Sequence, residues 1–218
     1  MPGYRRAADL PQLIPVFPLD GALLLPGGEL PLQIFEPRYL NMVDDAMAGD
    51  RIIGMIQTRG GAKSNPRLAE VGCAGRITSY NETSDGRYLI TLTGVCRFEA
   101  GEELDLRLPY RQLRARYERF GDDLDRDERA EATEAARARF ASALKRYLNH
   151  RELDIDWETA NDAPLEALVN SLCMGLPFEP AEKQAFLEAP DLAGRFEVLT
   201  TLLEIDASDP DDERPQLQ

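Results

Sequence analysis

Lys63-Ser64, behind Gly60-Gly61-Ala62, is the first combination in this chain with reactive potential. A glycine-rich turn ending in Lys-Ser can cradle phosphates with its backbone N–H groups. A Ser–Lys pair can also supply nucleophile and base for a hydrolase. The spacing does not support the phosphate reading: Ala62 stands where such a loop needs glycine before its lysine, and the earlier glycine is missing at the required offset. The single histidine, His150, is the only imidazole a catalytic triad could use. It sits near the end of a helical pattern, where the helix dipole favours it for structural reasons, and one imidazole is a poor start for a zinc site. Glu29 and Glu36 are spaced so that they could be paired across a site, but nothing selects them over the many other carboxylates. Cys73, Cys96 and Cys173 are few, odd in number and free of any CxxC spacing. They read as buried apolar side chains rather than a disulfide framework or a metal site. No catalytic residue, no metal site and no cofactor is expected, and the chain does not read as an enzyme.

Charge narrows the partners further. Residues 1–118 carry 14 basic and 15 acidic side chains, whereas residues 119–218 carry 11 and 24. The net −14 therefore resides almost entirely in the second half. Neither half offers the basic footprint that phosphate backbones require, so no nucleic acid is expected. Arg111, Arg114, Arg116 and Arg119 form a local basic stretch, interrupted by Glu118. No window approaches the run of about 18 apolar residues that spans a bilayer. The first residues, with two arginines and early prolines, do not make a secretory signal. The expected location is the cytoplasm, with no membrane partner, and the oligomeric state is left open.

The elements that would position a site change period halfway along the chain. Leu13–Leu19 is extended and apolar, and Pro15 and Pro18 assign it to a sheet edge or a bulge. Leu30, Leu32 and Ile34 alternate as in a strand. Pro37 opens a helix carrying Tyr39, Leu40, Val43 and Met47 on one side, with Gly49 as its stop. Arg51–Gln57 reads as a short buried strand, and Thr58–Arg67 (TRGGAKSNPR) as a loop. Cys73–Asn81 and Arg87–Thr93 flank Asp85-Gly86, a hairpin signal, and Arg111–Arg119 makes a last half-solvated strand. Gly121–Asp127 is acidic and reads as a linker or helix entry, and its carboxylate run from Asp122 as a solvated face. Beyond it, Ala136, Phe140, Leu144, Tyr147 and Leu148 recur at helical spacing, as do Leu165, Leu168, Leu172 and Leu176. Shorter helices open at Pro180 and cover Leu192–Leu203. The fold class is α+β: a mostly antiparallel β-barrel with one helix over residues 1–120, a helical bundle over 121–206, and an acidic disordered tail over 207–218.

Three stretches carry a resemblance: Pro15–Leu19 (PVFPL), Leu24–Val43 (LLPGGELPLQIFEPRYLNMV) and Val71–Glu99 (VGCAGRITSYNETSDGRYLITLTGVCRFE). In that order they resemble the N-terminal substrate-binding domain of the Lon protease family. The string P-G-x-x-x-P-L-x-I-F-E-P-R-Y is its most specific part, and Gly75, Ile77, Gly94 and Arg97 of the third stretch fit as well. The helical stretch from Leu165 to Leu199 is similar as well. The resemblance covers about residues 12–205 and implies a PUA-like β-barrel followed by helices. It implies recognition of polypeptide without the ATPase and peptidase modules of the full protease, as in a stand-alone Lon-domain protein.

The expected partner is thus unfolded or partly unfolded polypeptide. An extended peptide could add along the Leu13–Leu19 edge. Exposed apolar side chains at Leu23, Leu24, Leu25 and Pro26, with Phe35 and Tyr39, form the alternative contact. Leu30, Leu32, Ile34 and Phe35 as a group are expected to build core. A second reading makes the chain an adaptor whose acidic helical half docks a protease or another protein, with binding sensitive to salt.

Overall fold

Six strands and six helices make up most of residues 4–62, 65–125 and 132–206, which the computed structural model describes. The strands are β1 (Leu13–Pro18), β2 (Glu29–Ile34), β3 (Ile52–Ala62), β4 (Asn65–Glu82), β5 (Tyr88–Leu104) and β6 (Arg111–Arg116). The helices are α1 (Pro37–Ala48), α2 (Glu134–His150), α3 (Trp157–Asp162), α4 (Leu165–Gly175), α5 (Pro180–Glu188) and α6 (Leu192–Asp206). The chain divides into two units. One holds Met1–Arg129 with Asn170–Glu188; the other holds Ala130–Val169 with Ala189–Gln218.

In the first unit the strands form one mixed sheet in the order β2-β5-β4-β3-β1-β6, and β6 pairs again with β5. Strands β5, β4, β3, β1 and β6 therefore pair in a closed circuit, antiparallel except for β1 and β3. Length makes this possible. β5 pairs along Tyr88–Thr93 with β2 and along Tyr88–Glu99 with β4, and gives its last residues, Glu99–Leu104, to β6. Register shifts at Ala74/Gly75 and Ala100/Glu103 mark bulges, which bend long strands around a core.

Two expectations change here. β1 is interior, not an edge: its residues Leu13–Val16 pair with β6 and Val16–Pro18 with β3. The two neighbours use different halves of the strand, so each proline meets only one of them and costs little pairing. The stretch from Thr58 is not a loop either. β3 runs on through Ala62 and pairs with Asn65, Pro66 and Leu68 of β4, with Gly60 and Gly61 at positive φ.

β2 is the one described strand with a single partner. The Gly94 N–H donates to Gly28 O (2.9 Å) just before β2 begins. Antiparallel pairs alternate between bonded and non-bonded positions. Leu30, Leu32 and Ile34 therefore turn their backbone groups to β5, and Glu29, Pro31 and Gln33 turn theirs away. Pro31 stands where its missing N–H costs no bond to β5.

Pro37 starts α1 at its first turn, and Tyr39, Met42, Val43 and Ala46 form its buried stripe. Gly49 caps its end by donating to Ala46 O. α5 is held in the same unit by Gln57, a buried side chain of β3. Gln57 donates to Pro180 O (3.0 Å) and Gln184 Oε1 (3.1 Å) and accepts from the Gly21 N–H (3.3 Å). Lys183 Nζ donates to Gly21 O (2.8 Å). Burial lowers the Lys183 pKa from its ordinary value.

In the second unit, Thr133 caps α2 by accepting from Ala136 N, and Asp156 caps α3 through the N–H groups of Glu158 and Thr159. α2 buries Phe140, Ala143, Leu144, Tyr147 and Leu148, and α6 buries Phe196, Leu199 and Leu203. Phe140 and Phe196 meet with ring centroids 5.0 Å apart. Arg139 bridges Glu197 and Glu204, and Arg151 pairs with Asp206. The acidic tail expected over 207–218 lies outside the described residues. No described helix is long and apolar enough to cross a membrane.

Candidate functional site

A cleft of about 730 Å³ opens in the first unit. Its lining comes from the end of β1 (Pro18 to Asp20), the start of α1 (Arg38, Tyr39), the β3–β4 hairpin (Thr58, Gly60 to Ala62, Pro66), Pro109 to Arg111, and Pro180. Four prolines and two tyrosines stand in these walls beside Asp20, Arg38 and Arg111. Proline offers a rigid apolar surface without an N–H to satisfy, and a tyrosine ring offers apolar area with one polar tip.

Polar bonds hold the walls from behind. Asp20 accepts from the Thr58 N–H (2.8 Å) and hydroxyl (2.7 Å), fixing the β1 end to β3. Arg111 donates to Pro66 O (2.7 Å) and grips Glu103 with Nε (2.5 Å) and Nη2 (2.6 Å). Tyr110 donates to Asp45 (2.6 Å), joining the segment before β6 to α1. Tyr39 packs on Phe17 with centroids 4.1 Å apart, and the Arg38 guanidinium lies 4.5 Å from the Tyr39 ring centroid. Arg38 also bonds Glu36. Walls fixed in this way lose little freedom when a ligand arrives.

Both phenols stay protonated at neutral pH. Burial raises Tyr39 above its ordinary value. Burial first, then the hydrogen bond to Asp45, pushes Tyr110 up to about 12. The cleft thus presents neutral rings, proline faces, the Asp20 carboxylate and two arginines whose charge is already met by glutamates. Such a lining suits apolar and aromatic groups rather than a bound anion.

The residues singled out from sequence fall in different places. Leu23, Leu24 and Leu25 are 2%, 1% and 0% exposed, and Pro26 is also buried. The exposed rim expected there is core instead. Leu25-Pro26-Gly27-Gly28 is a tight turn closed by the Gly28 N–H on Leu25 O (2.9 Å), with Gly27 at φ 78° as the turn demands. Gly94 receives this turn: a Cβ there would lie 2.0 Å from Leu25 O. The buried Asn170 of α4 donates to Pro26 O (2.9 Å). Tyr39 is 6% exposed yet lines the cleft. Phe35 is 62% exposed at the end of β2, outside the cleft. Of the group expected to build core, Ile34 is buried, Leu30 and Leu32 are half-buried, and Phe35 is not.

Other chemistry-bearing residues are accounted for structurally. Glu29 and Glu36 stand at opposite ends of β2. Arg111, Arg114 and Arg119 each pair with a β5 glutamate. His150 is the exposed last residue of α2. Cys73, Cys96 and Cys173 are free thiols and buried. Among the described residues no group of three or more His, Cys, Asp or Glu is placed to hold a metal. Lys63 and Ser64 lie outside the described residues. Among its described residues, the acidic stretch read as solvated holds Asp123, whose side chain is 9% exposed and paired with Arg97. Sequence reasoning passed over Pro109 and Tyr110. The run Leu106-Arg107-Leu108-Pro109-Tyr110 was the available signal, with three apolar side chains around a proline in an otherwise polar connection.

Residues 13–204 match the family model described as the ATP-dependent protease La (LON) substrate-binding domain. Lon protease 2 of Myxococcus xanthus is 28% identical over 210 residues, covering 93% of this chain and 24% of that protein. Lon protease 2 of Thermus thermophilus is 26% identical over 209 residues, again covering 24% of its length. The chain thus spans about a quarter of these relatives. Among solved structures, the N-terminal domain of the Mycobacterium avium complex Lon protease superposes with a TM-score of 0.62 at 20% identity, covering 88% of this chain and 97% of that one. A Lon N-terminal domain protein from Xanthomonas campestris gives 0.62 at 20%, covering 87% and 97%.

Proposed function

The chain belongs to the family of the ATP-dependent protease La (LON) substrate-binding domain, and from that premise we propose that it is a non-catalytic module that captures unfolded polypeptide. The observation that carries this reading is the proline- and tyrosine-lined cleft of about 730 Å³. A folded protein hides its apolar and aromatic side chains, whereas an unfolded chain presents them in extended runs. A cleft whose proline and ring faces are held in place among polar groups can take such runs without reading a particular sequence. We read the closed circuit of strands as the PUA-like barrel that the family resemblance implies, with the cleft at one of its ends.

The supporting experiment is a fluorescence-anisotropy titration with a permanently unfolded protein and its folded parent, at low and high salt. Capture in the cleft predicts selective binding of the unfolded form that persists at high salt, because apolar contacts are not screened. Binding lost at high salt would favour docking through the acidic second half instead.

A further inference from the structure

The exposed margin of β2 is built to pair with another strand. Its outward-turned residues, Glu29, Pro31 and Gln33, are all exposed. Glu29 and Gln33 each turn an N–H and a C=O away from β5, while Pro31 turns only a C=O. Beside this margin the sheet dips into a concavity of about 500 Å³, lined by Pro31 and Gln33 of β2, Leu89 and Thr91 of β5, and Ser79 and Asn81 of β4. Leu89 is 42% exposed there, and Phe35 at the end of the same margin is 62% exposed. Glu29 has no ion pair among the described residues, and it shares the outward side of the strand with Pro31 and Gln33.

We propose that the β2 margin takes an extended polypeptide segment as an added strand, apolar at alternate residues and carrying a Lys or Arg beside Glu29. This rests on the polypeptide-binding reading and adds how the captured chain is held. Three features choose the occupant. The backbone groups of Glu29 and Gln33 repeat at the spacing of a strand, so they match any extended chain whatever its sequence. The Leu89 concavity accepts apolar side chains on one face only, which requires alternation. The unpaired Glu29, on a chain of net charge −14, favours a cation in the occupant. Pro31 withholds one donor from the middle of the margin. It weakens the pairing and protects the edge from permanent association, as capture followed by release requires.

The test uses two probes of one extended peptide, apolar at alternate residues with one lysine, in plain form and with N-methyl groups on alternate amides. Wild type, Pro31→Val and Gln33→Pro are compared. Pro31→Val restores a donor and should tighten the plain probe by roughly threefold to tenfold, the worth of about one backbone hydrogen bond. A damaged fold cannot mimic that gain. Gln33→Pro removes an outward donor without touching the β5 pairing and should weaken the plain probe by a similar factor. N-methylation should erase both differences. Wild type binding both probes equally, with Pro31→Val unchanged, overturns the strand-addition proposal and leaves capture in the cleft intact. Wild type binding neither probe overturns both. A concentration-dependent dimer dissolved by Gln33→Pro, with probe affinity unchanged, would assign the margin to a second copy of the chain and overturn the proposal.

Discussion

The guanidinium of Arg97 in β5 lies over the Phe120 ring, 4.3 Å from its centroid, while gripping the carboxylate of Asp123 at 2.8 and 2.9 Å. The Arg97 backbone N–H also donates to Asp123 (2.9 Å), and Nη1 donates to Leu187 O (3.2 Å) at the end of α5. The two side chains are 3% and 9% exposed. One ion pair thus ties three segments distant in sequence. Removing one partner strands the other charge, so Asp123→Ala should cost about 3–5 kcal/mol. Arg119→Gln, which breaks an exposed pair with Glu99 at 3.5 Å, should cost under about 1 kcal/mol. Urea unfolding of the two variants measures the contrast, and equal losses would mean that the buried pair is not structural.

Gly94 should tolerate no side chain. A Cβ there would stand 2.0 Å from Leu25 O and 2.7 Å from its carbonyl carbon, both backbone atoms. Gly94→Ala is expected to lose on the order of 3 kcal/mol. Gly86 sits at φ 78° in the β4–β5 turn with open space around it. Gly86→Ala should therefore lose only about 1–2 kcal/mol, the strain of a left-handed residue. Thermal unfolding of both variants tests the ranking.

Alkaline pH should loosen the protein. Burial raises Tyr39 and Tyr117, the hydrogen bond to Asp44 first and then that to Tyr80 raises Tyr88, and Tyr110 reaches about 12. A folded value above the unfolded one stabilises the fold fully below the unfolded pKa of about 10. For Tyr110 that contribution is lost as pH rises from there through about 12. Tyrosinate absorbance should therefore show the phenols of Tyr39, Tyr88, Tyr110 and Tyr117 ionising above their ordinary value and together with unfolding. A single transition near the ordinary value would contradict the burial and hydrogen bonding of these phenols.

The thiols should be silent. Burial first, then the Asp123 charge, pushes Cys96 up to about 12, and all three cysteines are buried. A disulfide reagent at neutral pH should react with none of them in the folded protein, and the rate should rise only when denaturant opens the core. Rapid labelling of one thiol in native buffer would contradict this.

Local pattern made much of the fold legible. Pro37, the stripe from Tyr39 and Gly49 specified α1, and Asp85-Gly86 specified the β4–β5 hairpin. Pairing decisions were not legible, because they depend on neighbours far along the chain. Pro15 and Pro18 looked like edge residues, and only the staggered use of β1 by β3 and β6 makes them interior. The apolar run Leu23–Pro26 looked like a rim because a proline–glycine turn is ordinarily on the surface. Gly94 and Asn170, read separately, gave no sign that they would receive it. Tyr39 reached the cleft as the sequence allowed, but Tyr110 and Pro109 arrive from a connection without periodicity. The helical period of Pro180–Glu188 likewise carries no trace of its bond to Gln57.

The claim that the cleft captures unfolded polypeptide is tested most directly by placing a charge in it. Pro109 is an exposed residue of the lining, so Pro109→Glu alters the cleft and spares the core. Ile205→Glu places the same charge on an apolar side chain in the second unit that is 59% exposed. Anisotropy titrations with permanently unfolded protein should show Pro109→Glu weakened at least about tenfold, or about 1.4 kcal/mol, and Ile205→Glu equal to wild type. Unchanged affinity in Pro109→Glu, or wild type that binds folded and unfolded probes alike, would contradict the account.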